Sequence, residues 1–216
     1  MTKQVDSTRF VDVMELVFAI LMAAGFLEGW RQFTQFFPSL LHERDFLRGS
    51  VALLFPLSFT LILIRFFFAP SKNLPPLIRF HENKFWVLAF DVPIMILHSA
   101  IFYLICSLFK RVVMDWTVNL LFLYFSTLML INAIWIISIE LRLKNTVSKY
   151  LVIWRWNNKI HFLIAVLAFL FFRSGWVGVP APVQGLIMIA ITISNSFWDF
   201  GLAGEAYFRN PEQVSS

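Results

Sequence analysis

The sequence predicts an all-α, polytopic integral membrane protein with about six transmembrane helices and both termini in the cytoplasm. Of its 216 residues, 59% are hydrophobic and only 14% are charged, which is too apolar for a water-soluble fold of this size. The apolar residues form long continuous stretches such as Val118–Ile139. An outer-membrane β-barrel would alternate apolar and polar residues, so the pattern indicates helices.

Six apolar segments account for most of the chain. A helix needs roughly 20 apolar residues to cross a hydrocarbon core about 30 Å thick, and the first four segments and the sixth reach that length. The fifth is shorter. In chain order the predicted spans are Phe10–Trp30, Phe46–Phe68, Phe85–Leu108, Trp116–Ile139, Lys159–Phe172 and Pro182–Ala203.

The first span is expected to remain in the mature protein. Met1–Arg9 is a short polar lead, and the apolar segment after it carries Asp12 and Glu15 and continues for a full span, unlike a cleavable signal peptide. The connections between spans are short, so the sequence predicts one transmembrane domain over residues 1–216. The GFLEG motif of this span, Gly25 to Gly29, predicts close packing against another helix, chiefly within the molecule.

One position inside the third span and one segment before the fifth carry specific expectations. Pro93 is predicted to kink the third span and to free the Ala89 carbonyl beside Asp91. Tyr150–Trp156, which precedes the fifth span, is predicted to lie at the headgroup level with its tryptophans as interfacial anchors.

Basic residues determine the predicted orientation. If the six spans alternate in direction, eleven Lys and Arg residues fall on the side of both termini and six on the other side. The positive-inside rule then places both termini in the cytoplasm, which indicates the cytoplasmic (inner or plasma) membrane. The eleven are Lys3, Arg9, Lys72, Arg79, Lys84, Arg142, Lys144, Lys149, Arg155, Lys159 and Arg209, and the six are Arg31, Arg44, Arg48, Lys110, Arg111 and Arg173.

Polar residues recur within the spans at similar depths. With a rise of about 1.5 Å per residue, the carboxylates and one asparagine lie about 6–9 Å to the cytoplasmic side of the bilayer centre, and an arginine lies about 12 Å to that side. A histidine and a second asparagine lie near the midplane. The first group is Glu15, Asp91, Asn132 and Asp199, the arginine is Arg65, and the last two are His98 and Asn195.

These residues form the predicted ion or proton pathway. An ionised carboxylate near the bilayer centre costs at least about 2.5 kcal/mol, so the side chains should face the bundle interior. We expect Glu15, Asp91 and Asp199 to act as cation or proton sites. His98, Asn132 and Asn195 are expected to act as relay or lining groups. Arg65 is the predicted charge partner of Asp91 or Asp199, and the same pairing could serve only to neutralise buried charge.

Other functional classes lack a signal in the sequence. Cys106 is the only cysteine, and the four histidines are too scattered to indicate a haem or zinc site, so no cofactor or metal is predicted. HExxH, GxSxG, CxxC and phosphate-binding glycine motifs are absent, so we do not predict an enzyme. The basic residues are spread over span ends and do not form a nucleic-acid-binding face.

The sequence thus favours a membrane channel or transporter for a small cation or proton, in direct contact with the lipid bilayer. The alternative is a non-catalytic membrane subunit or scaffold of a larger complex, whose basic cytoplasmic loops dock a soluble partner. An intramembrane enzyme acting on a lipid ranks third. Assembly as a homo-oligomer is left open.

Overall fold

The computed structural model describes residues 6–42, 46–79, 90–111, 115–143, 149–175 and 178–208. Within these ranges the regular structure is entirely helical. The α-helices are α1 (Asp6–His42), α2 (Phe46–Arg79), α3 (Val92–Ser107), α4 (Asp115–Leu143), α5 (Lys149–Arg173) and α6 (Ala181–Phe208), with a short 3-10 helix at Phe109–Arg111.

The six helices form a closed ring. In the cyclic order α1, α2, α6, α5, α4, α3, each helix packs against its two neighbours, and α3 closes the ring against α1. Helices α4 and α6 also touch across the ring. Helix α4 is apolar on nearly all sides, and its interior positions are largely buried, as expected of a central helix.

Aromatic side chains fill one part of the interior. The ring of Phe109 meets Phe55 edge to face with centroids 5.2 Å apart, and Phe59 meets Phe125 at 6.3 Å. The outer surface is also apolar: Phe197 is 69% exposed and Leu27 is 65% exposed. Large hydrophobic side chains on the outside, with buried polar side chains inside, are what a bilayer requires of an embedded bundle.

Four of the described helices contain a stretch long and apolar enough to cross a membrane, namely Leu16–Pro38, Phe46–Arg65, Thr117–Arg142 and Ala181–Gly204. Helix α3 is apolar throughout but has only 16 residues in its described part. The predicted class, a helical integral membrane protein, agrees with these findings.

Glycines in α1 allow close approach to α3. A Cβ atom added to Gly29 would lie 2.7 Å from the Cys106 carbonyl oxygen, and one added to Gly25 would lie 3.2 Å from the Tyr103 Cα. Both contacts are with backbone atoms, which cannot move aside as a flexible side chain can. The GFLEG motif therefore packs within the molecule, as predicted.

Pro93 is the second residue of α3. Asp91, the residue before α3, already has right-handed helical dihedral angles, with φ −68° and ψ −40°. The two residues before the helix, Phe90 and Asp91, form a π-helical turn. Residues 80–89, including Ala89, lie outside the described part of the chain. The carbonyl that Pro93 is predicted to free lies outside the described residues, so the predicted kink of the third span stays a prediction.

Helix α5 begins ten residues before the predicted fifth span. Tyr150–Trp156, expected at the headgroup level, forms the first two turns of α5. Trp154 is only 6% exposed and packs in the core, whereas Trp156 is 53% exposed. Trp154 is buried because the buried residues of this segment lie on the same face of α5 as those of the later turns.

Candidate functional site

The guanidinium of Arg65, which α2 carries, is almost completely buried. Its Nε lies 2.7 Å from Oδ2 of Asp199 on α6, and the two side chains are 2% and 0% exposed. This is a fully buried ion pair between two neighbouring helices of the ring. Of the two partners that the sequence allowed for Arg65, the fold brings Asp199 to it.

Amide side chains from two helices accept the other hydrogen bonds of Arg65. Its Nη1 donates to Oδ1 of Asn195 on α6, and its Nη2 donates to Oδ1 of Asn158 on α5 at 3.2 Å. The same oxygen of Asn158 also accepts a hydrogen bond from Nδ2 of Asn132 on α4, at 3.0 Å. Four helices, α2, α4, α5 and α6, thus contribute polar groups to one buried site.

A reciprocal asparagine pair joins α5 to α6 beside this site. Nδ2 of Asn157 donates to the Asn195 carbonyl oxygen at 2.9 Å, and Nδ2 of Asn195 donates to Oδ1 of Asn157 at 3.2 Å. Each amide is thereby held in one orientation. The side chain of Asn195 consequently presents its Oδ1 atom, and not its NH₂ group, to Arg65.

His161 extends the network along α5. Its Nδ1 lies 2.9 Å from the Asn157 carbonyl oxygen, which can only accept, so the proton of the neutral ring is assigned to Nδ1. Nε2 is then the acceptor, 3.4 Å from the hydroxyl of Ser194 on α6. We name the set Arg65, Asp199, Asn132, Asn157, Asn158, His161 and Asn195 the arginine–amide network.

Helical periodicity places these residues on matching faces. On α6, Asn195 and Asp199 are four residues apart, and Thr192 lies three residues before Asn195. On α5, Asn157, Asn158 and His161 repeat the same three- and four-residue spacing. Asn157 and Asn158 were absent from the predicted pathway because the fifth span was started at Lys159, and His161, inside that span, was considered only as one of four scattered histidines. The spacing would have revealed them had the helix been started at Lys149.

Asp91 belongs to a separate cluster at the start of α3. Arg142 of α4 binds it through two hydrogen bonds, Nη1 to Oδ2 at 2.8 Å and Nη2 to Oδ1 at 2.6 Å. The indole Nε1 of Trp135 also donates to Oδ1, at 3.0 Å. Arg142 was assigned to a cytoplasmic loop, but α4 continues to Leu143 and carries it to Asp91.

A third buried carboxylate, Glu140 of α4, pairs with Arg155 of α5. Glu140 lies on the same helix as Arg142 and two residues before it, so the two ion pairs tie α4 to both α3 and α5 at this end. The three described buried carboxylates therefore each face an arginine. Neutralisation of this kind is the rule for carboxylates inside apolar bundles.

The remaining predicted residues are placed as follows. His98 of α3 is fully buried and meets Phe18 of α1 edge to face at 5.8 Å. Glu15 is part of α1, but its side chain lies outside the described residues. The fold thus brings together Arg65, Asp199, Asn195 and Asn132, and it assigns Asp91 to a different cluster.

The arrangement limits the chemistry of the site. Among the described residues, no group of three or more His, Cys, Asp or Glu side chains could hold a metal ion. The network instead offers one carboxylate, one fixed cation, four amides and one imidazole, a set suited to proton exchange and to hydrogen bonding. Comparisons of the chain with protein-family models, with curated proteins and with solved structures gave no match.

Proposed function

We propose that the protein moves a proton or a small ion across the cytoplasmic membrane, with the arginine–amide network as the functional site. The observation that carries this proposal is the fully buried Arg65–Asp199 pair with hydrogen-bonding groups from four helices around it. Ionisable residues inside a membrane bundle generally mark ion and proton pathways.

The energetics of buried charge support a role beyond packing. A buried ion pair gains little over well-packed apolar side chains, because removing two charges from solvent costs about as much as their attraction returns. An apolar pair at positions 65 and 199 would join α2 to α6 at least as well. The charges are therefore best explained by a function that needs them.

The proposed orientation is six spans with both termini in the cytoplasm. With alternating spans, the C-terminal ends of α2, α4 and α6 and the N-terminal ends of α3 and α5 lie on one side. The contacts Arg65–Asp199 and Asp91–Arg142 join ends that this topology places together. The excess of basic residues supports the cytoplasm as that side. A reporter fused after Ser216 should be active in the cytoplasm, and activity only on the other side would contradict the proposed orientation.

Ion flux into liposomes tests the function. Purified protein should carry flux above that of empty vesicles, detected with pH-sensitive and potassium-sensitive dyes, and Asp199→Asn should strongly reduce it. Glu28→Gln is the matched control, because Glu28 forms an exposed ion pair with Arg31 on α1, outside the network. Wild-type vesicles indistinguishable from empty ones would contradict the proposal.

A membrane scaffold is the second candidate, and one observation favours it. Each of the three described buried carboxylates is already paired with an arginine, as expected if the charges only fix helix positions. Under this proposal the basic cytoplasmic loops dock a soluble partner. Absence of flux, together with a soluble protein that co-purifies with wild type and is lost on substitution of the loop arginines and lysines, would support it.

A further inference from the structure

We infer that Lys159 and Trp156, on the outer face of α5, bind the phosphate group of an anionic phospholipid from the cytoplasmic leaflet. This inference goes beyond the proposed transport function. It rests only on the proposed orientation, in which α5 crosses the membrane with its N-terminal end on the cytoplasmic side.

Lys159 lies on the outside of the bundle, although the residues just before it are buried. Asn157 and Asn158 are 0% exposed, whereas Trp156 is 53% exposed and Lys159 is also exposed. With about 3.6 residues per turn, Trp156 and Lys159 share the face of α5 opposite the one that carries the two asparagines. Among the described residues, no carboxylate forms an ion pair with Lys159. A lysine on this face therefore needs an anionic partner from the membrane.

The side chain of Lys159 is directed toward the cytoplasmic surface. The Cα–Cβ bonds of a helix tilt toward its N-terminus, which is the cytoplasmic end of α5. The Nζ of Lys159 accordingly lies over the ring of Trp156, three residues nearer that end and 5.5 Å from the ring centroid. Trp156 and Arg173, the last residue of α5, are separated by about 25 Å of helix, close to the hydrocarbon thickness of about 30 Å. The ammonium group thus lies near the cytoplasmic headgroup level.

The Lys159–Trp156 pair has the chemistry that a phospholipid headgroup requires. The ammonium group supplies a positive charge and three N–H donors for phosphate oxygens. The indole of Trp156 is amphipathic, so its N–H can donate to a lipid oxygen while its ring lies against the first methylene groups. The cytoplasmic leaflet carries the anionic lipids that attract basic residues at this level.

Apolar side chains continue from Lys159 along the same face of α5. Leu163, Leu167 and Leu170 follow it at intervals of three or four residues, and each is more than half exposed. Leu167 and Leu170 also line an apolar groove between α5 and α6. An acyl chain whose phosphate is bound at Lys159 therefore meets apolar surface along its path toward the bilayer centre.

Lipid titration followed by native mass spectrometry tests the inference. The purified full chain is titrated with phosphatidylglycerol, which is anionic, and with phosphatidylcholine of the same acyl chains, which has no net charge. Wild type should bind phosphatidylglycerol more tightly. Lys159→Gln should weaken that binding about fivefold, which is the contribution of one basic residue near a membrane surface. Lys159→Arg keeps the charge and should retain most of the affinity, and Trp156→Leu should weaken the binding of both lipids.

Arg173→Gln is the matched control, because it removes one positive charge from the other end of the same helix. It should weaken phosphatidylglycerol binding less than Lys159→Gln does, and thermal unfolding in detergent shows whether each variant folds as wild type does. Equal affinity of wild type for the two lipids would overturn the inference, and so would equal weakening by the two glutamine variants.

A second copy of the chain is the competing occupant of this face. A dimer in the mass spectra that Lys159→Gln dissociates would assign the face to that copy and overturn the lipid site. Lipid binding is measured without ion flux, so failure of the lipid site is distinguishable from failure of the proposed transport function.

Discussion

The two buried aspartates, Asp199 and Asp91, are both paired with arginine, but they lie in different surroundings. The Asp199–Arg65 pair is 0% and 2% exposed and is surrounded by amides from three helices. The Asp91–Arg142 pair is 5% and 16% exposed, lies at a helix start, and is closed by a two-point fork and an indole. The ion pair at the helix start is thus fixed by its own bidentate hydrogen bonds and an indole. The fully buried pair is instead fixed by hydrogen bonds from amide side chains of other helices.

The comparison predicts that removing the charge of Asp199 has the largest effect on stability. Asp199→Ala leaves the Arg65 guanidinium buried without its carboxylate, which costs about 3–5 kcal/mol. The double variant Arg65→Met/Asp199→Leu removes both charges at similar volume and should recover most of that loss. Thermal unfolding in detergent measures both. A double variant as unstable as Asp199→Ala would show that the pair itself is essential for folding.

Asp91→Asn should be the milder change. It replaces charged hydrogen bonds from Arg142 and Trp135 by neutral ones, a loss of about 1.5–3 kcal/mol. Arg142 is partly exposed, so its charge can turn toward the membrane surface and water. The same unfolding measurement applies, and a loss larger than that of Asp199→Ala would reverse the ranking of the two clusters.

A substitution at the α1–α3 contact should affect one cluster and leave the other intact. In Gly29→Ala the new Cβ would lie 2.7 Å from the Cys106 carbonyl oxygen, and overpacking of this kind costs about 1–3 kcal/mol. The new contact should displace α3, and the displacement should extend along α3 toward Asp91. The Arg65 site on α2 and α6 should be unaffected. Gly201→Ala, which meets nothing within 4 Å, is the matched control. Equal destabilisation by both variants would contradict this prediction.

The smallest expected effect is at Asn132. Asn132→Ala removes one hydrogen bond to Asn158, and interhelical hydrogen bonds in membrane proteins are worth about 0.6 kcal/mol. Asn158→Ala should cost more, because Asn158 also accepts from Arg65. The ratio of the two losses, measured by unfolding, shows how strongly Arg65 depends on its amides. Equal losses would mean that Asn158 contributes little to holding Arg65.

Much of the candidate site could be predicted from the sequence. The polar residues of α2, α4 and α6 stand alone in apolar stretches, so their burial in the bundle interior followed from the cost of charge in a membrane. Asn157 and Asn158 were missed because Lys159 and the tryptophans before it resemble a membrane interface, and His161 was missed because a single histidine in a span carries no signal of its partners. Only packing shows that Trp154 is buried and that the helix begins at Lys149.

The sequence by itself determined the helical membrane class and most of the interior polar residues, because hydrophobic length and the cost of buried charge act locally along each segment. The sequence also predicted that the GFLEG motif packs chiefly within the molecule, because small residues four positions apart allow two helices to approach closely. Which arginine pairs with which carboxylate was decided only by the tertiary structure. The ring order brings α2 beside α6 and α3 beside α4, and an ion pair forms across a contact between helices that no local pattern specifies.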